Sequence, residues 1–300
     1  MSSESPHADP GHHRIWVTDL LLLLMATIWG INFSVVKFGT SAIAPLAYNG
    51  VRVAIAAVAL LTVVQVQGRA LPPRRQLWAL LGLGVLGNGL YQILFVEGIS
   101  RTRAGNAALV MASGPALIAF IGRFHGVEKV HLRGYAGIAL SVIGIGIVMS
   151  GTAAAQTGDA SLLGDGLILC GSATWAVYTV LLKPYTHHVD GVTVSAFTML
   201  GGAVPLLLVA SPAMVATPWS SLSMTIWLAI GYSALFALVI AYLIWYRGIK
   251  YIGPTKTAMY GNLQPIIAVL VAWAALGEVP TLTQGAGAVF VMGGLLLTRT

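Results

Sequence analysis

Charge is scarce in this chain. Only 8% of its 300 residues are Asp, Glu, Lys or Arg, where a soluble globular domain carries about 25%. With 57% of the residues hydrophobic, too few polar side chains exist to solvate a surface, and a water-soluble fold is excluded. Cysteine is nearly absent. Cys170 stands alone in an apolar run, so there is no disulfide framework and no thiolate metal site. The acidic residues number nine against sixteen Lys and Arg, giving a net charge of +7. In a soluble protein that excess suggests a nucleic-acid partner. Here the basic residues occupy short loops between apolar runs, which is the positive-inside pattern of a protein whose partner is the lipid bilayer.

What is present is a succession of long apolar segments. A helix needs roughly 20 apolar residues to cross the hydrocarbon core. Ten segments qualify, at 18–39, 43–66, 76–97, 103–124, 131–150, 163–183, 191–211, 224–246, 254–276 and 280–298. Inside lipid each backbone amide must be bonded within its own segment, so the expected fold is an all-α membrane protein of ten transmembrane helices. Residues 1–17 open with the polar stretch MSSESPHADPGHHR and are expected to form a disordered cytoplasmic head. Its His7, His12 and His13 lack neighbours that would fix a metal geometry. No signal peptide is read, because the apolar run from Leu20 continues too far. Twelve Lys and Arg residues fall near one side of the membrane when the N-terminus is placed inside, against Lys37, Arg52, Arg101 and Arg103 in the outer half. Both termini are therefore expected in the cytoplasm.

The second half of the chain repeats the first. TIWGINFSVVK at 27–37 is matched by ATWAVYTVLLK at 173–183, pairing Trp29 with Trp175 and Lys37 with Lys183. Further on, Glu97-Gly98-Ile99 pairs with Arg247-Gly248-Ile249, Pro115 with Pro265, Glu128 with Glu278 and Gly137 with Gly287. Each half holds five spans, and an odd number forces the second half to enter from the opposite side. Such an inverted repeat is a plan of secondary transporters, with a cavity between the halves near the midplane. The expected organisation is a head at 1–17, one repeat at 18–157 and another at 158–300. One chain supplies both halves, so a monomer suffices.

These residues carry a family resemblance. The chain resembles the drug/metabolite transporter superfamily in its ten-span form with two EamA-type repeats. The matching pieces are WGINF at 29–33, Arg52, and the stretch from Gly98 through Pro115 to Glu128 and Gly137, then Gly248, Ala258, Pro265, Gly277-Glu278 and Gly287. Within the superfamily it is most similar to bacterial exporters of aromatic and other neutral amino acids. The resemblance implies two helical repeats around a central cavity and outward transport of a small molecule, with no cofactor. The second repeat departs from the first in lacking an Arg equivalent to Arg52, where Thr198 is the nearest match.

Polar and aromatic groups deep in a span tend to face a cavity. Trp29, Asn32 and Phe33 share one helix face, and Trp175, Tyr178 and Thr179 share the equivalent face of span six. Asn88, Tyr91 and Gln92 form a third face. Tyr260 and Gln264 follow Lys256 in span nine, and Tyr242 lies in span eight. The other reading of each is helix packing. Trp16, Trp78, Trp227, Trp245 and Trp273 lie near span ends and suit the interfacial belt. Gly87, Gly89, Pro115 and Pro265 are candidate hinges, since Pro removes a backbone bond and kinks a helix. Lys37 and Lys183 are expected to snorkel to the interface. Arg52 lies too deep for that. A structural pairing with backbone carbonyls or with Tyr48 is favoured, and contact with a substrate carboxylate is the other reading.

The candidate pocket is thus aromatic and rich in amides. Aromatic faces suit an apolar body or an ammonium, and amides and phenols suit a carboxylate or amine. A neutral amino acid satisfies both. No carboxylate or His lies in mid-span, which disfavours cationic drugs as substrates and leaves no group to couple a proton. A membrane enzyme is disfavoured as well, because Ser34, Ser113 and Ser172 have no mid-span His or Asp beside them. The leading expectation is facilitated export of aromatic and aliphatic amino acids. Export of another metabolite or a drug is the alternative.

Overall fold

The computed structural model describes residues 10–126, 132–154 and 159–299. His7, Glu128, Lys129 and part of the inter-repeat linker lie outside the described residues. Among those described there are helices and no strands. The long helices are α1 (Pro10–Ala42), α2 (Pro45–Val66), α3 (Arg74–Arg101), α4 (Ala104–Phe124), α5 (Leu132–Ala154), α6 (Asp159–His188), α7 (Gly191–Ala216), α8 (Met224–Ile252), α9 (Pro254–Leu276) and α10 (Leu282–Arg299). Nine of them are long and apolar enough to cross a bilayer, and the tenth, α10, packs along α5.

Residues 10–17 are a correction to the expected head. They form the first turns of α1. Once the apolar span has nucleated a helix, each further residue adds a hydrogen bond at little cost, and nothing after Gly11 breaks the run.

Helix contacts come in pairs related by the repeat. α2 packs on its counterpart α7, and α5 on its counterpart α10. The contact of α1 with α8 is mirrored by that of α6 with α3, and the contact of α1 with α9 by that of α6 with α4. Two inverted five-helix halves around a common centre produce this pattern. Lipid supplies no hydrophobic drive between helices, so close backbone approach does the packing. Gly84 and Gly201 show how tight it is, since a Cβ on either would stand 2.1 Å from a carbonyl oxygen of the facing helix.

The irregularities obey the repeat as well. α3 contains a π-helical stretch at Val85–Leu90, and α8 contains one at Tyr232–Ile240. α4 is interrupted after Met111 and resumes at Gly114. α9 is interrupted by a 3-10 turn at Tyr260–Asn262 and resumes at Leu263. In each case the resumption comes within two residues of the paired prolines, Pro115 and Pro265, whose missing N–H removes a helical bond. Gly277, at φ +68°, ends α9 in the left-handed region that a side chain disfavours.

Candidate substrate cavity

A cavity of about 730 Å³, counting its open mouth, lies between the halves. α1 contributes Trp29, Asn32 and Phe33, and α3 contributes Tyr91, Gln92 and Phe95. α6 supplies Trp175, α8 supplies Tyr242 and Trp245, and α9 supplies Gln264. Pro115 and its neighbours on α4 close a further wall.

The aromatic wall is one connected group. Ring centroids of Trp29 and Trp175 are 6.2 Å apart and nearly perpendicular. Tyr242 stands 5.9 Å from Trp29 and 5.4 Å from Trp175, and Trp245 is 5.5 Å from each Trp. Tyr91 continues the wall, 4.9 Å from Trp175. These separations suit edge-to-face and offset contacts, which hold the rings in place without a ligand. Trp29 is further anchored by its indole N–H, which donates to the Ala237 carbonyl in the π-helical stretch of α8 at 2.9 Å.

A polar strip lies beside the rings. Arg52 is buried and lines the cavity. Its Nε–H donates to Asn49 Oδ1 at 2.7 Å, its Nη2–H donates to Gln92 Oε1, and its guanidinium lies 5.7 Å from the centre of the Phe95 ring. Gln92 Nε2 donates to the Tyr242 hydroxyl at 2.9 Å, and Asn49 Nδ2 donates to the Gln92 carbonyl at the same distance. Asn32 Oδ1 accepts from the Ser233 hydroxyl at 2.7 Å.

Several residues differ from expectation. Arg52 bonds side-chain amides, whereas Tyr48 bonds the Ala229 carbonyl and the Ser233 hydroxyl across on α8. Lys37 donates to the Ser100 carbonyl of α3 at 3.0 Å. Trp245 is 2% exposed and lines the cavity, while Trp16 and Trp78 are 63% and 70% exposed. Its position i+3 from Tyr242 was the available signal. Phe95, its counterpart in the first repeat, was missed for the same reason.

Asn88, Tyr178 and Tyr260 do not line the cavity. Tyr178 lies behind Trp175, its ring 5.2 Å away, and its hydroxyl pairs with that of Tyr246 at 2.6 Å. Asn88 sits beside these hydroxyls. Tyr260 packs beside the core and donates to Asp19 Oδ1 at 2.7 Å. Gly87 lies against the Tyr178 ring, and Gly89 and Pro265 also stand off the cavity wall.

Polar contacts join the halves at both ends of the helices. At one end the Glu278 carboxylate accepts from the N–H groups of Ala104 and Gly105, at 3.2 and 3.4 Å, at the start of α4. At the other, Asp190 pairs with Arg69 and caps α7, accepting from Val192 and Thr193 N–H at 3.1 Å each. Burial alone would raise the Asp190 carboxyl. The bonds from Thr193 and Val192 together with the Arg69 guanidinium outweigh it and hold the group below its ordinary value.

Sequence comparison matches the EamA-like transporter family model twice, at residues 16–150 and 162–300. The chain belongs to the EamA-like transporter family. It is therefore a membrane transporter built of two repeated helical halves. It is 28% identical over 280 residues to the uncharacterized transporter YyaM of Bacillus subtilis, covering 92% of each chain. It is 31% identical over 264 residues to the uncharacterized inner membrane transporter YedA of Escherichia coli K12, covering 86% of this chain and 82% of that one. A probable amino-acid metabolite efflux pump of Salmonella typhimurium is 27% identical over 285 residues, with 92% and 93% covered. A solved crystal structure superposes with a TM-score of 0.67 at 17% identity, over 94% of this chain and 98% of the other, and so shares the fold.

Proposed function

We propose that this EamA-family transporter exports neutral amino acids, aromatic and aliphatic, across the bacterial inner membrane, and that it is not an enzyme. The observation that carries the reading is the cavity wall, in which a connected aromatic group faces a strip of amides with no Asp, Glu or His among the lining residues. Rings suit the side chain and the ammonium, and polar donors suit the carboxylate. The efflux pump among the relatives supports the direction and the substrate class. The count of Lys and Arg supports cytoplasmic termini.

The mechanism proposed is alternating access. The paired interruptions near Pro115 and Pro265, and the paired π-helical stretches around Gly87 and in α8, are the bending points. Cross-half contacts at each end break and re-form as the halves rock. With no titratable acid or His in the cavity, flux follows the substrate gradient without obligatory proton coupling. The whole cavity lies within one chain, and a monomer suffices.

Proteoliposomes loaded with one labelled amino acid at a time, among Trp, Phe, Leu, Thr, Met, Lys and Glu, test the reading at matched internal and external pH. Efflux of the neutral residues with Lys and Glu retained is the expected result. Uphill accumulation driven by an imposed pH gradient would overturn the uncoupled mechanism. Absence of flux for every amino acid would transfer the site to another metabolite or a drug.

A further inference from the structure

Arg52 presents an electrostatic problem that no described residue solves. Its side chain is 1% exposed, and each of its hydrogen-bond partners, Asn49 and Gln92, is neutral. Its Nη1 has no acceptor. Burying a cation without a counter-charge, and leaving one of its donors unpaired, are both costly. Among the described residues, no salt bridge reaches Arg52, and the cavity lining contains no acidic residue. The groups around it on α2, α3 and α8 are Tyr48, Asn49, Tyr91, Gln92, Phe95 and Tyr242, and none is an acid.

The second repeat does not share the charge. Thr198 stands where Arg52 would be, and its hydroxyl bonds its own helix at the Val194 carbonyl, 2.8 Å away. The cavity is therefore electrically one-sided. Among the described residues, two buried side-chain atoms of its wall lack a partner, Arg52 Nη1 and Trp245 Nε1, and both are donors. What the wall lacks is an acceptor, and a negative one.

We infer that Arg52 is the carboxylate seat of the cavity, so that the transported molecule must carry a carboxylate that completes the guanidinium, while its apolar body lies on the aromatic wall. The inference deepens the amino-acid reading and rests on it for the body, though not for the anion. An anion in this low-dielectric site gains a charge-assisted bond to Nη1 and neutralises the buried charge. A cation meets repulsion. An amine is permitted and not required, so deaminated acids with the same body are ligands as well.

The test is thermal stabilisation of the full chain, purified in detergent and titrated with matched ligands. Tryptophan and indole-3-propionate carry the carboxylate, whereas tryptophanamide and tryptamine lack it. Valerate and valeramide repeat the comparison without an aromatic body. Half-saturation for the acids is expected at concentrations at least about tenfold lower than for the uncharged or cationic partners, the size of one charge-assisted bond. Arg52→Gln is expected to abolish that preference, and Arg52→Lys to retain part of it. Should Arg52→Gln fail to fold, Gln92→Glu supplies an internal carboxylate against the guanidinium and is expected to erase the preference too.

Equal binding of acids and amides in both series overturns the carboxylate seat while leaving the indole pocket standing. A preference for acids that survives Arg52→Gln or Gln92→Glu overturns the assignment to Arg52. If no indole binds but valerate is preferred to valeramide, the aromatic amino-acid reading fails and the anion seat stands. If no acid in either series is preferred, the inference fails.

Discussion

Gln92 and Tyr242 hold equivalent places in the two halves, 150 residues apart, and they touch. The amide of Gln92 donates to the Tyr242 hydroxyl at 2.9 Å. Trp29 and Trp175, equivalent at a separation of 146, also meet, with ring centroids 6.2 Å apart. Positions that meet their own counterparts lie beside the pseudo-twofold axis, so the axis runs through the cavity wall. Under the proposed alternating access, movement of one half against the other passes through these contacts.

Trp29→Phe keeps the ring and removes the indole N–H that reaches the Ala237 carbonyl. The expected loss is about 1 kcal/mol of unfolding stability, with a raised half-saturation concentration for efflux of the neutral amino acids. Denaturant unfolding and proteoliposome flux on the same preparation check both. Unchanged flux would remove Trp29 from the binding wall.

Gly87→Ala places a Cβ 2.4 to 2.7 Å from the Tyr178 ring. Overpacking of this kind costs about 1–3 kcal/mol. Tyr178→Leu in the same chain is expected to recover part of the loss, since removing the ring relieves the clash, and the two changes should be strongly non-additive in a thermal double-mutant cycle. Additive effects would show that the helix relaxes away from Tyr178.

Asp190 is held below its ordinary carboxyl value, so its contribution to stability is complete above the usual carboxylate range and is lost as the pH falls through the depressed folded-state value. The group is partly solvent-exposed, and its ion pair with Arg69 is screened, which limits that part to less than about 1 kcal/mol. Asp190→Ala also removes the cap of α7, at a cost of about 1 kcal/mol. Thermal unfolding between pH 7 and pH 3 should show the variant losing less stability on acidification than the parent.

Pro265→Ala restores a backbone N–H beside the interruption at Tyr260–Asn262. If this interruption is a hinge, turnover falls while the half-saturation concentration changes little, because Pro265 stands off the cavity wall. A change in apparent affinity alone would assign Pro265 to the shape of the site instead of its motion.

Much of this protein was legible without coordinates. Trp29, Asn32, Phe33, Tyr91, Gln92, Trp175, Tyr242 and Gln264 were identified as pocket candidates from their depth and helical spacing, and all line the cavity. Tyr178, Asn88 and Tyr260 satisfy the same rule and face elsewhere, because depth in a span does not say towards which neighbour a side chain turns. Trp245 failed in the opposite sense. Its place near the expected end of a span suggested the interfacial belt, but α8 runs on to Ile252, and the rotation of that helix carries Trp245 inward with Tyr242.

The sequence by itself determined the material, the number of spans and the inverted plan. Each span satisfies its own backbone hydrogen bonds, so apolar length suffices to place it, and five spans per repeat dictate the reversal. Only the tertiary structure decided what Arg52 meets. Its partners Asn49 and Gln92 lie 3 and 40 positions away in the chain, and the second of these, with the Tyr242 that Gln92 bonds in turn, comes within reach only when α2, α3 and α8 converge. Helix rotation and convergence are set by packing against neighbours, at glycine contacts and π-helical stretches that no local pattern of residues specifies.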